Sequence, residues 1–229
     1  MDSSRKPRLY VPKDLLRGSY TAELSLEAGE KTLVKFSEKL RFEYQWVFYP
    51  DPDRWAFYPQ VPSEEKGEDS LKLATQLFPL IARNLHVKGN PIVYHLHPKY
   101  MADFLKDGLR RLGHYPRKCA RNMGMVLTMF PSDEDLDECN ERWRISDNQQ
   151  QREFGIASPT GILRIRLQSN DEAFFKSYNS SLHSEVIKGF KEKIAKSRDL
   201  ESLIPEIIEE HNRRFDGSLS LAYKPASTQ

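Results

Sequence analysis

The chain has 229 residues, 35 of them basic and 33 acidic, for a formal charge of +2. Near-neutrality gives no general pull toward nucleic acid or an anionic membrane, so either partner would need a local patch. Two cysteines, Cys119 and Cys139, are too few for a disulfide framework or a zinc knuckle, and no stretch approaches the roughly 18 to 20 apolar residues of a membrane span.

Residues 1–19 carry Pro7, Pro12 and scattered charges and read as an N-terminal arm, with no apolar run long enough for a signal-peptide core. A reduced, cytoplasmic chain is the expectation, although delivery by a specialised secretion machine would leave the same signature. Tyr20, Ala22, Leu24 and Leu26 alternate as in a half-buried strand over 19–26, whereas Leu33, Val34, Phe36 and Leu40 are spaced more nearly as in a helix. Phe42, Tyr44, Trp46 and Val47-Phe48-Tyr49 run into the turn cluster Pro50-Asp51-Pro52-Asp53, and Trp55-Ala56-Phe57-Tyr58 follows. Aromatic and β-branched runs on either side of such a turn predict a β-hairpin. Leu71, Leu73, Ala74, Leu77, Phe78, Leu80, Ile81 and Leu85 predict a helix kinked at Pro79, or split there into two pieces, and stopped at Gly89-Asn90.

Pro91-Ile92-Val93-Tyr94-His95-Leu96-His97-Pro98 then reads as a strand ending in two histidines. Alternation puts His95 and His97 on one face with Cα atoms about 6.5 Å apart, close enough to share a metal ion. Met101, Phe104, Leu105, Leu109 and Leu112 predict a short helix ending at Gly113. Arg110, Arg111, His114, Arg117, Lys118 and Arg121 form the densest basic cluster, which reads as a solvated face with acidic surfaces, phosphate or nucleic acid as alternative ligands. Met123 to Phe130 reads as a strand, and Pro131-Ser132-Asp133-Glu134-Asp135 opens a helix to about Arg144. Phe154 to Leu167 predicts a hairpin turning at Pro159-Thr160-Gly161. Beyond Asn170 the chain reads as helical to Ile208, interrupted at Pro205, with a polar tail fraying from Ser218.

A zinc ion held by two imidazoles still needs a carboxylate and a water to complete a tetrahedron. Asp135 is the outstanding downstream carboxylate, although Ser-x-x-acid at a helix start also reads as a capping box, and a cap can place a ligand. His86, His114, His183 and His211 have no partner spacing and read as surface histidines.

Taken in order, His95-x-His97-Pro98, Ser132-x-x-Asp135 and the strand Phe154-Gly155-Ile156-Ala157-Ser158-Pro159 resemble the JAB/MPN (JAMM) metalloprotease family over residues 35–168. The resemblance implies a cytidine-deaminase-like α/β fold, a mixed sheet flanked by helices. That domain would span 20–170, with an insertion at 99–130, and a C-terminal helical extension and tail would cover 171–229. It implies Zn2+ held by His95, His97 and Asp135, Ser132 as a donor to the tetrahedral intermediate, and Glu43 as general base, with Glu38 the fallback. The activity implied is hydrolysis of a peptide or isopeptide bond, with ubiquitin or a ubiquitin-like protein as a possible substrate. The stretch from Pro98 to Pro131 is longer than the family's usual spacing and would overhang the site, a natural place for substrate selection or occlusion. Two other readings stand beside this one: a metal-free JAB/MPN-like scaffold that binds a protein partner, and, ranked last, a nuclease or phosphate-binding protein working through the basic cluster.

Overall fold

The computed structural model describes residues 20–39, 44–50, 53–58, 91–111, 117–145 and 153–226. The predicted helix over 71–85 and residues 40–43, which include Glu43, lie outside them. The protein is mixed α/β. Among the described residues seven strands form one sheet: β1 (Tyr20–Ala22), β2 (Tyr44–Pro50), β3 (Asp53–Tyr58), β4 (Ile92–Leu96), β5 (Glu153–Ser158), β6 (Gly161–Leu167) and β7 (Leu219–Pro225). Their order is β1-β3-β2-β4-β5-β6-β7. Both predicted hairpins form, β2 with β3 and β5 with β6. Among the described strands only β4 and β5 run parallel, with Val93 opposite Phe154 and His95 opposite Ile156.

Parallel neighbours cannot be joined by a tight turn, so the chain must leave the end of β4 and cross over to the start of β5. It does so through α2 (Lys99–Arg111), α3 (Arg117–Leu127) and α4 (Asp133–Ile145). Residues 123–127, expected as part of a strand, belong to α3, and 128–130 turn out of it. The run Met-Gly-Met-Val-Leu-Thr-Met-Phe is apolar almost throughout, and periodicity cannot separate a buried helix from a buried strand in such a run. Met123, Val126, Met129 and Phe130 are all buried in the larger core. The helix also needs Gly124, because a Cβ there would lie 2.6 Å from the carbonyl oxygen of Ala102 in α2. Gly124→Val is therefore expected to push α2 and α3 apart at a cost of about 1–3 kcal/mol, read as a lowered denaturant midpoint.

The opposite face of the sheet is covered by α1 (Leu26–Lys39). The strand expected over 19–26 stops at Ala22, because Ser25 takes the N-cap and its Oγ accepts a hydrogen bond from the backbone N–H of Ala28. Leu33 and Val34 of α1 pack with Trp46, Phe48, Trp55, Tyr94, Leu96, Ala157 and Ile162 in a second core. Gly29 brings the helix onto the Trp55 ring, whose nearest atom would be 2.1 Å from any Cβ placed there. Tyr94 also belongs to this face. Its hydroxyl donates to Glu30 at 2.7 Å, and the Glu30 carboxylate, 1 % exposed, also accepts from Arg164 at 2.8 and 3.1 Å and from Lys224 at 3.3 Å. Burial first, and then the Glu30 carboxylate, push the Tyr94 hydroxyl far above the usual tyrosine range.

From α5 (Glu172–Ser181) the chain passes through a π-helical turn, Leu182–Ile187, directly into α6 (Lys188–Lys196), and α7 (Leu200–Arg214) follows. Pro205 does not interrupt α7. It sits on the exposed side, while Leu203, Ile204, Ile207 and Ile208 are buried and carry the helix through. Phe175, Tyr178, Val186, Ile194 and Ile207 share one core with Phe154, Ile156, Leu163 and Ile165 of the sheet. The tail expected to fray from Ser218 is instead β7, paired with β6 along its length, with Leu219 and Leu221 buried. No helix among the described residues is long and apolar enough to cross a membrane.

His211, expected at the surface, is fully buried. It stacks on Phe130 and lies 3.0 Å by Nε2 from the Tyr178 hydroxyl. Burial outweighs a weak bond to Asn212 and lowers its pKa from 6.5 to about 4. A group protonated more readily in the unfolded chain contributes stability that is complete above about pH 6.5 and declines as pH falls toward 4. The expected loss is on the order of 3 kcal/mol. Urea midpoints at pH 7 and pH 4.5 check it: the difference should shrink in His211→Gln.

Candidate metal centre

The site forms where β4 ends. His95 is the fourth residue of β4, on the face that carries Val93 and that is packed by α2 to α4, opposite Tyr94 and α1. His97 lies just past the strand, yet its backbone N–H still donates to the Ala157 carbonyl of β5 at 2.8 Å, which extends the parallel ladder by one rung. The two imidazole centroids are 4.9 Å apart. Pro98 then ends the ladder, and the Met101 N–H bonds to the Pro98 carbonyl as α2 begins.

Asp135 comes from the first turn of α4. Ser132 caps that helix: its Oγ accepts from the Asp135 N–H at 3.1 Å, while its own N–H and hydroxyl donate to Asp135 Oδ2 at 2.7 and 2.8 Å. This reciprocal cap fixes the carboxylate, whose other oxygen meets His95 Nδ1 at 2.5 Å. Burial alone would raise the Asp135 pKa. The charge and hydrogen bond of His95, then His97 and the Ser132 N–H, outweigh it and hold the carboxyl well below the usual carboxylate range. Cap and ligand readings of Ser132-x-x-Asp135 are thus both expressed in one geometry.

His97 is 2 % exposed, and its Nδ1 lies 2.6 Å from the backbone carbonyl of Thr128. A carbonyl only accepts, so Nδ1 carries the proton and Nε2 of the neutral ring is the basic nitrogen. Nε2 is 3.7 Å from Asp135 Oδ2. That is too long for a hydrogen bond and close to the roughly 3.3 Å between two ligands on one tetrahedral zinc with bonds of about 2.0–2.1 Å. An imidazole that donates its far N–H to a carbonyl is also the usual support of a metal-ligating histidine. One potential ligand atom from each of His95, His97 and Asp135 lies within 4.8 Å of the others. The residues present therefore fit a divalent metal ion held by two nitrogens and an oxygen.

Of the residues singled out from the sequence, His95, His97, Asp135 and Ser132 come together. Glu43 lies outside the described residues. The described residue that follows it in sequence, Tyr44, pairs with Leu96, and Gln45 pairs with His95. Glu38 is exposed near the end of α1, on the helix packed against the other face. Sequence reasoning missed Thr128, whose contribution is a backbone carbonyl with no side-chain signature. Its carbonyl is delivered by the end of α3, so the long stretch between the two halves of the motif builds part of the site.

Fold and site define an α/β protein with a two-histidine, one-aspartate cluster able to hold a metal at the carboxyl end of a parallel strand pair, where open α/β sheets generally bind ligands. Comparisons with protein-family models, curated proteins and solved structures find no match.

Proposed function

We propose that the protein is a zinc-dependent hydrolase of peptide or isopeptide bonds. The observation that carries this reading is the convergence of His95, His97 and Asp135, with the His97 tautomer set by the Thr128 carbonyl so that its basic nitrogen faces the carboxylate. The order of residues resembling the JAB/MPN family supports it. Zinc, when bound, supplies a Lewis acid for a scissile carbonyl and brings the pKa of water toward about 7.

His95 and His97 would hold the ion by nitrogen and Asp135 by oxygen, the carboxylate also offsetting the positive charge. Glu43, two positions ahead of the residue paired with His95, would take the proton of the attacking water and hand it to the leaving amine. Ser132 would donate toward the developing oxyanion by turning its hydroxyl away from Asp135 Oδ2. Ubiquitin-like proteins are the first substrates to try.

The test is metal content by mass spectrometry beside hydrolysis of ubiquitin chains and unstructured peptides, for wild type and His97→Ala. Near one zinc per chain and cleavage, both lost in the variant, is the expected result; retention of both by the variant would sink the reading. A second reading is a metal-free scaffold for a protein partner, with the His95–Asp135 bond of 2.5 Å serving as a structural tie between β4 and α4. It predicts folded protein that takes up no zinc after dialysis against the ion.

A further inference from the structure

The outward face of α2 is unusual for a soluble surface. Tyr100 is 60 % exposed and Phe104 70 % exposed, the large hydrophobic residues that stand out in this way among those described. They are four residues apart on one helix face, about 6 Å along the axis. Tyr100 is also three residues from His97, within roughly 10 Å along the chain. The charges around them are not evenly matched. Asp103 is paired with Lys106 at 2.7 Å and Asp107 lies 3.7 Å from Arg110, so both acids are answered within the helix. Lys99 and Arg111 are exposed at the two ends, with no acidic partner among the described residues. The result is two exposed aromatic rings on the helix that follows His97, bracketed along its axis by two cations about 18 Å apart.

We infer that this face docks a linear segment of the substrate protein that carries two apolar side chains between acidic residues. The inference rests on the hydrolase reading for the word substrate, and it names the chemistry that the site would select. An extended peptide advances about 3.3 Å per residue and repeats a face every second residue, so apolar side chains at alternate positions match the ring spacing. Carboxylates five or six residues apart reach both cations. The aromatic rings supply contact area at little entropic cost, and the terminal cations set the register and speed encounter. A membrane surface fits less well, because only two apolar residues are offered and Asp103 and Asp107 share the face with them.

The experiment is fluorescence anisotropy in the presence of a chelator, so that neither metal nor turnover contributes. The probe is a labelled peptide Glu-Ser-Leu-Ser-Leu-Ser-Glu, with a Lys-flanked analogue and a Leu→Ser analogue as controls. Binding of the acidic peptide should fall by about tenfold or more in Tyr100→Ala/Phe104→Ala and in the Leu→Ser analogue. It should fall at least about threefold in Lys99→Glu/Arg111→Glu, which should instead favour the Lys-flanked peptide. All four positions are exposed, and circular dichroism checks that the variants fold. Equal binding of both flank chemistries, no loss in the aromatic variant, no binding at all, or binding only to phosphatidylserine vesicles would each overturn the inference. Because the assay excludes metal, its failure leaves the zinc and hydrolysis measurements to stand or fall separately.

Discussion

Glu30→Ala is expected to lower the stability of the protein by about 3 kcal/mol, near the lower end of what breaking a buried ion pair costs. The carboxylate is almost wholly buried between α1 and the sheet and is approached by Tyr94, Arg164 and Lys224. Its removal leaves the Tyr94 hydroxyl buried without its acceptor and two cations facing one another. Both cations can partly rehydrate, since the side chains of Arg164 and Lys224 are 41 % and 38 % exposed, which keeps the loss from reaching the top of the range. Urea unfolding checks the figure. A double-mutant cycle of Glu30→Gln with Arg164→Gln should show coupling of about 0.5–3 kcal/mol, and a coupling near zero would mean that the network contributes no more than exposed ion pairs do.

On the zinc-hydrolase reading proposed above, Asp135→Asn is expected to weaken zinc affinity by more than about 100-fold, because changes to groups that merely orient metal ligands already cost about 10- to 100-fold. The amide keeps the size of the side chain, but it lacks the charge that His95 and His97 now stabilise. An amide oxygen in the place of Oδ2 can keep both Ser132 bonds, but the NH2 group then replaces the oxygen that meets His95 Nδ1. Competition with a calibrated chromophoric chelator measures the affinity. The accompanying structural cost is separable by comparing Ser132→Ala, which removes the hydroxyl side of the cap and leaves the charge: it should weaken zinc binding far less.

Much of the site was legible because it depends on local periods. Strand alternation alone places His95 and His97 together, and Ser132-x-x-Asp135 announces a helix start whose carboxylate is held in place. The hairpins were legible for the same reason, since period-two aromatic runs flank short turns. What was hidden depends on distant partners. The Met123–Phe130 run is covered on several sides, so it has no polar face to reveal its helical period. Leu219, Leu221 and Tyr223 do alternate, but so short a pattern after a long helix is indistinguishable from a tail until β6 supplies its edge. Thr128 reaches His97 with a backbone group across 31 positions, and His211 is buried because the distant Tyr178 and Phe130 cover it, which its own neighbours in sequence do not foretell.

The bond between Lys224 and Glu30 spans 194 positions. A chain leaving the ribosome exposes Glu30 long before Lys224, with β7 and its pairing to β6 arriving together with Lys224. Until then α1 has a carboxylate on its inward side that lacks one of its cations, and the sheet has an open edge at β6. The two cores therefore close only once β7 has emerged, and nascent chains stalled before β7 should remain sensitive to protease and dependent on a chaperone to shield that edge.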